Sequence, residues 1–115
     1  MKPEIKQRWI EALRSGEYKQ GTTYLRQDNS YCCLGVLCDL YNKDHYETCW
    51  EPVTKGCDVY AIDGSGCVLP SAVEQWSGLL HCEGKYGEAP EHRLTVLNDD
   101  GLSFQEISNI IEEHF

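Results

Sequence analysis

The chain has 115 residues, a formal net charge of −9 and seven cysteines. This length suits one domain with a single hydrophobic core, which we expect to span residues 1–115. The negative charge argues against general electrostatic binding of DNA or RNA, and no apolar run is long enough for a membrane-spanning helix. The N-terminus lacks a signal-peptide pattern, so we expect a cytoplasmic protein whose cysteines are free thiols.

The first predicted helix covers residues 3–15. Pro3 suits the first helical position, and Gly16 suits the C-terminal stop. Apolar residues recur at helical spacing and form one stripe: Ile5, Trp9, Ala12 and Leu13. Positive charge is concentrated around this helix, since residues 1–26 hold six Lys or Arg against three Glu.

The longest apolar run, residues 31–41, is predicted to be the central buried element. Residues 24–26 can pair antiparallel with residues 31–32 across an Asp-Asn turn. A helix of about ten residues follows, with Asn42 as its stop. Gly35 in the middle of this helix costs about 1 kcal/mol relative to alanine. That cost predicts close approach of a neighbour, for which a tryptophan is the first candidate.

Short strands and loops are predicted for residues 43–69. Residues 49–53 suit an edge strand, because Pro52 cannot donate to a sheet ladder. Residues 59–62 and 67–69 flank the sequence Asp-Gly-Ser-Gly, which predicts a β-hairpin between them.

Two capping boxes predict the later helices. Ser71 with Glu74 begins a short helix, and Ser103 with Glu106 begins the C-terminal helix. The segment at 81–93 is a polar loop, and residues 98–101 read as a turn. The predicted fold class is α+β: a single small domain with N- and C-terminal helices and a short central helix, packed with a small antiparallel sheet or hairpins. The predicted core is Trp9, Cys33, Leu34, Leu37, Trp76, Phe104, Ile107 and Ile111.

Four motifs give the chain a recognisable pattern. They are Trp9 to Gly16, the sequence Cys-Cys-Leu-Gly-Val-Leu-Cys-Asp-Leu from Cys32 to Leu40, Leu69-Pro70 with Trp76, and Leu-Asn-Asp-Asp-Gly-Leu-Ser-Phe-Gln-Glu-Ile from Leu97 to Ile107. In these motifs the chain resembles a family of small uncharacterised proteins of phage, prophage and bacterial genomes. The resemblance implies a phage-related accessory role in the cytoplasm of the bacterial host, and it supplies no catalytic residues.

A basic and aromatic segment near the N-terminus supplies the candidate ligand-binding residues. Guanidinium groups bind phosphate, and aromatic rings stack on a base. We predict that Arg14, Lys19 and Arg26 converge on a concavity. Tyr18 or Tyr24 is expected along its wall. The alternative is that Trp9 belongs to the core and that the arginines form a solvated face. The candidates are Arg8, Arg14, Tyr18, Lys19, Tyr24 and Arg26.

Cysteines and histidines in the later loops leave a structural zinc site open as an alternative. The residues concerned are His45, Cys49, Cys57, Cys67, His81, Cys82 and His92. No C-x-x-C motif occurs, so we predict no metal and no cofactor. Cys32, Cys33 and Cys38 lie in an apolar run that raises a thiol pKa, so we predict no catalytic residue among them.

The sequence is compatible with three functions. The first is a non-enzymatic binding protein that sequesters a small phosphorylated ligand, such as a nucleotide signal of host defence, or blocks a host protein. The second is a zinc-stabilised regulator or small enzyme. The third is an acidic mimic of nucleic acid, with carboxylates along one face. We expect no direct contact with nucleic acid or membrane, and a homo-oligomer remains open.

Overall fold

Helices carry most of the regular structure in the computed structural model, which describes residues 1–45, 50–89 and 92–115. The helices are α1 (Pro3–Arg14), α2 (Cys33–Asp44), α3 (Ser71–Ser77), α4 (Leu94–Asp99) and α5 (Phe104–His114). The strands are β1 (Lys19–Gln20), β2 (Arg26–Gln27), β3 (Ser30–Tyr31), β4 (Glu51–Pro52) and β5 (Val59–Ala61). The predicted α+β class is confirmed. None of the helices described combines the length and apolar character needed to cross a membrane.

The strands form one sheet in the order β1-β3-β2-β5-β4. The pair β1–β3 is parallel and the other pairs are antiparallel, so the sheet is mixed where a purely antiparallel one was predicted. The predicted hairpin around residues 28–29 is confirmed, with Arg26 opposite Tyr31. On its other side Arg26 lies opposite Tyr60 of β5. Residues opposite one another in antiparallel strands share a face, so these three side chains form a row.

The core is built around α2, whose residues from Cys33 to Cys38 are all buried. Trp9 of α1 is fully buried against it and donates from Nε1 to the carbonyl oxygen of Cys33 at 2.9 Å. The amphipathic stripes of α1 and α5 pack together over the same core. Seven of the eight predicted core residues are buried, and Trp76 is half-buried.

Close approach at Gly35 is confirmed, but the neighbour is backbone and not a tryptophan. A methyl group at Gly35 would overlap the carbonyl oxygen of Leu25. Leu25 precedes β2, so the hairpin rests directly on the α2 surface. The α2 helix also continues past the predicted stop at Asn42 and ends at Asp44.

A buried asparagine joins three parts of the fold. Asn98 is in α4, in a segment predicted to be a turn, and it has no exposed surface. Its Oδ1 accepts from the Cys33 amide and from Gln20 Nε2, both at 3.1 Å, and its Nδ2 donates to the Gly21 carbonyl at 2.8 Å. These bonds connect α4 to the start of α2 and to the end of β1.

Two further local predictions were wrong. The β5 strand pairs with β4 and β2, so the predicted hairpin with residues 67–69 does not form; an isolated bridge joins Ile62 and Ser65 instead. The α3 helix begins at Ser71 after Pro70, without a side-chain cap, whereas the capping box of Ser103 and Glu106 is confirmed.

Candidate functional site

Two of the predicted cations are engaged in contacts between helices. Arg8 forms an ion pair with Asp44 at the end of α2, with Nη1 and Oδ2 2.8 Å apart. This hydrogen bond lowers the pKa of the Asp44 carboxyl below its usual value. Arg14 donates from Nε to Ser108 Oγ at 2.9 Å and pairs with Glu112 at 3.2 Å. Arg14 therefore holds α1 to α5.

Tyr18 is held by a carboxylate of α2. Its hydroxyl donates to Asp39 Oδ2 at 2.6 Å, and Asp39 Oδ1 accepts from Trp50 Nε1 at 3.0 Å. Burial and the bond to Asp39 raise the pKa of Tyr18 above its ordinary value. Lys43 donates to the Tyr18 hydroxyl at 3.1 Å and lies 3.7 Å from Asp39. One carboxylate thus fixes the orientation of two aromatic rings.

Arg26 lies among three aromatic rings, and we name Arg26, Tyr31, Trp50 and Tyr60 the arginine–aromatic cluster. Its Cζ is 4.4 Å from the ring centre of Tyr60, 5.5 Å from that of Tyr31 and 5.8 Å from that of Trp50. Its Nε donates to the carbonyl oxygen of Asp28 at 2.8 Å. All four members of the cluster are half-buried, so their outer surfaces remain accessible.

The structure brings two of the six predicted residues together. Tyr18 and Arg26 both contact Tyr31, since the rings of Tyr18 and Tyr31 are 5.2 Å apart. Lys19 is exposed on β1. Tyr24 lines a cavity of about 850 Å³ beside β4 and β5. The binding role of the six residues stays a prediction.

In the comparison with family models, one family's model matches residues 1–115. The model is described as a domain of unknown function, DUF8296. The chain belongs to this family. No curated protein and no protein of solved structure matches it. The expectation of a small uncharacterised family is therefore correct.

The six cysteines that the structure of this DUF8296 chain describes divide into a buried group and an accessible group. Cys32, Cys33 and Cys38 are buried and free. Burial raises the pKa of Cys32 to about 11 and raises the pKa of Cys33 and of Cys38 well above the ordinary value. These three thiols are therefore protonated at neutral pH, as predicted for an apolar setting.

The alternative of a structural zinc site rests on cysteines and histidines of the loops. Within residues 1–45, 50–89 and 92–115, no group of three or more His, Cys, Asp and Glu side chains is arranged to hold a metal ion. Cys49, one of the candidate ligands, lies outside these ranges. The expectation that the protein has no cofactor stays a prediction.

Sequence reasoning missed Tyr31, Trp50 and Tyr60 as candidate site residues. They occur in three separate segments, and each was assigned only to a strand or to the central run. The hairpin signal placed Arg26 beside Tyr31 correctly, but Tyr60 reaches Arg26 because β5 pairs with β2. Short-range turn patterns carry no signal for that long-range pairing, so the cluster was not visible in the sequence.

Proposed function

We propose that this protein is a non-enzymatic binding protein whose arginine–aromatic cluster takes a phosphorylated ligand with a planar ring. The observation that carries the proposal is the state of Arg26. Within the described residues no carboxylate forms an ion pair with it, whereas Arg8 and Arg14 are both paired. Arginine has five N–H donors, and its Nε donates to the Asp28 carbonyl. The terminal nitrogens can therefore grip two phosphate oxygens.

The aromatic members of the cluster suit the planar part of such a ligand. Stacking of a base on an aromatic side chain contributes about 1–3 kcal/mol. The ring of Trp50 is held by its bond to Asp39, and its centre lies 6.0 Å from that of Tyr31. A ring fixed before binding loses less entropy when a ligand arrives. A nucleotide combines the two features, a phosphate for Arg26 and a base for the rings.

Burial of Cys32, Cys33 and Cys38 argues against a catalytic role for these three thiols and so supports binding. A nucleophilic cysteine needs a lowered pKa and an accessible sulfur. In Cys32, Cys33 and Cys38 the pKa is raised and the sulfur is buried. Because the chain resembles proteins of phage and prophage genomes, a nucleotide signal of bacterial defence is the first ligand class to test.

Calorimetry with a panel of cyclic and linear nucleotides tests the proposal. We expect Arg26→Ala to weaken binding at least about tenfold, the usual effect of losing hydrogen bonds to a charged group. Arg26→Lys should retain part of the affinity, because it keeps the charge and loses the planar fork. Binding of wild-type protein should also weaken as salt rises.

Arg8→Ala is the matched control, since it removes the same charge from an ion pair outside the cluster. Its affinity should remain close to that of wild type. Equal losses in Arg8→Ala and Arg26→Ala would indicate a general charge effect and contradict a local site. Absence of binding across the whole panel would also contradict the small-ligand proposal.

The composition of the cluster favours a host protein as the second candidate partner. Trp, Tyr and Arg are the residues most enriched at the energetic centres of protein interfaces. If the cluster binds a host protein, no nucleotide of the panel should bind. Arg26→Ala should instead abolish association with a partner isolated from host cells. Arg8→Ala again serves as the control, because its side chain is exposed and pairs with Asp44, which is not a member of the cluster.

A further inference from the structure

The cavity beside β4 and β5 differs in chemistry from the arginine–aromatic cluster. Val59 and Ala61 line it, and they flank Tyr60 in β5. Successive residues of a strand point to opposite faces, so Val59 and Ala61 face the cavity from the side of β5 opposite to the Tyr60 ring. The volume of about 850 Å³ falls in the range of small-molecule sites, about 300–1,000 Å³.

The walls of the cavity combine apolar surface with negative charge. The apolar part comes mainly from Pro52, Val53, Val59 and Ala61. Glu51 and Asp63 add two carboxylates. No lysine, arginine or histidine is among the described residues that line it, and none of the described ion pairs involves either carboxylate. An anionic ligand would therefore meet repulsion with no compensating cation.

We propose that this cavity binds an organic cation with an apolar body, an ammonium or guanidinium group on an alkyl or aryl frame. The carboxylates of Glu51 and Asp63 attract the charge, and the ring of Tyr24 supplies an aromatic face on which a cation is stabilised. The apolar walls accept the rest of the ligand. The formal net charge of −9 raises the concentration of cations near the surface. A free amine and a lysine or arginine side chain of a peptide share this chemistry.

Three probes of similar shape and different charge test the proposal: benzylamine, benzyl alcohol and benzoate. Titration followed by NMR should show benzylamine binding more tightly than the neutral alcohol, with benzoate weakest. Acetylated lysine amide and a short lysine peptide then distinguish a free amine from a peptide source. Equal binding of benzylamine and benzyl alcohol, or no binding of any amine, would overturn the proposal.

The accessible thiols give a second readout of where the probe binds. Cys57 and Cys67 line the cavity, while Cys82 is half-exposed elsewhere and serves as the internal reference. Benzylamine should slow alkylation of Cys57 and Cys67, mapped by mass spectrometry of peptides, and leave Cys82 unchanged. Equal protection of all three cysteines, or protection of none, would contradict binding in this cavity.

Two isosteric substitutions test the role of charge. Glu51→Gln and Asp63→Asn should each weaken benzylamine binding about two- to fivefold, the effect expected of a partly solvated charge pair. Asp63 has a positive φ of 50°, which asparagine also tolerates, so the fold should be kept. Asp28→Asn is the matched control, because Asp28 has a φ of 51° in another turn and does not line the cavity.

The outcome of this test is independent of the function proposed for the cluster. Arg26→Ala should leave benzylamine binding unchanged, and Asp63→Asn should leave nucleotide binding unchanged. If Glu51→Gln and Asp63→Asn both bind benzylamine like wild type, the carboxylates do not define the site and the proposal fails.

Discussion

The missing side chain at Gly35 determines how closely the β2–β3 hairpin can lie on α2. A glycine inside a helix normally weakens it by about 1 kcal/mol relative to alanine. Here the backbone of Leu25 fills the space that a methyl group would need. The carbonyl oxygen of Leu25 also accepts a hydrogen bond from the backbone amide of Cys32, at 3.2 Å. This bond joins the residue before β2 to the residue after β3. The close contact therefore fixes β2 and β3, and with them Arg26 and Tyr31.

Gly35→Ala should lower the free energy of unfolding by at least about 2 kcal/mol, because backbone must move to admit the methyl group. Urea denaturation of the purified protein measures this change. Gly66→Ala is the control: a methyl group there would meet its nearest neighbour, a Val53 methyl, at 3.7 Å. The control should stay within about 0.5 kcal/mol of wild type. A Gly35→Ala protein as stable as wild type would contradict the close contact.

At the scale of elements, the two terminal helices are joined by the polar side chain of Arg14 as well as by their apolar stripes. Arg14 contacts Ser108 and Glu112, one helical turn apart on α5. Arg8, two turns earlier on α1, contacts the last residue of α2 through an exposed pair. The hydrogen bond from Arg14 to Ser108 is partly buried, so it should contribute more than the exposed pair of Arg8, because solvent screens exposed pairs strongly.

Arg14→Ala should therefore destabilise the protein by about 1 kcal/mol, and Arg8→Ala by less than about 0.5 kcal/mol. Thermal and urea unfolding of both variants provide the comparison. An Arg8→Ala protein less stable than Arg14→Ala would show that α1 is held to α2, not α5, by its charged face.

Element prediction succeeded where the signal is local and failed where it is not. The helix α1, the Asp-Asn hairpin and the capping box of Ser103 follow from spacing, turn and cap residues within a few positions. The turn predicted for residues 98–101 begins too early, because Asn98 and Asp99 are the last residues of α4. Asn98 suggested a turn because asparagine is a turn former in isolation. The side-chain amide of Asn98 instead forms hydrogen bonds with the backbone of Gly21 and of Cys33. No local sequence pattern contains a signal for these contacts.

The candidate site, too, was predicted only where the contacts are local in the sequence. Arg26 and Tyr31 were placed together by the hairpin, while Tyr60 lies beside Arg26 because β5 pairs with β2. Trp50 directly precedes β4, which pairs with β5. The cations of α1 were grouped with Arg26 because they are close in sequence. Their carboxylate partners lie 36 and 98 positions away along the chain, at Asp44 and Glu112, beyond what charge patterning can predict.

At the scale of the whole molecule, buried thiol and phenol groups should make the free energy of unfolding fall at alkaline pH. Burial raises the pKa of the thiols of Cys32, Cys33 and Cys38, and burial also raises the pKa of Tyr18 and Tyr31. A raised pKa means that the folded state holds its proton more tightly than the unfolded state. The associated stability is complete below the unfolded pKa and is lost as the pH rises through the folded pKa.

Unfolding free energy should accordingly fall above about pH 8.5, by up to about 1.4 kcal/mol per pH unit for each buried thiol. Urea midpoints of the reduced protein at about pH 7, 8.5 and 10 measure the slope. Cys38→Ala removes one buried thiol and should make the slope of the midpoint against pH smaller. Cys67→Ala, which replaces an exposed cysteine, should leave that slope unchanged. Midpoints that stay constant across this range would contradict burial of the thiols.

Pro52 protects the sheet against growth by addition of further strands. Its strand, β4, forms one end of the strand order, and the Val53 amide donates inward to the Val59 carbonyl at 2.9 Å. Amides alternate in direction along a strand, so the nitrogen of Pro52 faces the open side and carries no hydrogen for an incoming chain. Pro52→Thr should restore that donor and favour polymerisation at high concentration, visible as light scattering. Pro52 thus keeps this edge of the sheet from acting as a template for filaments.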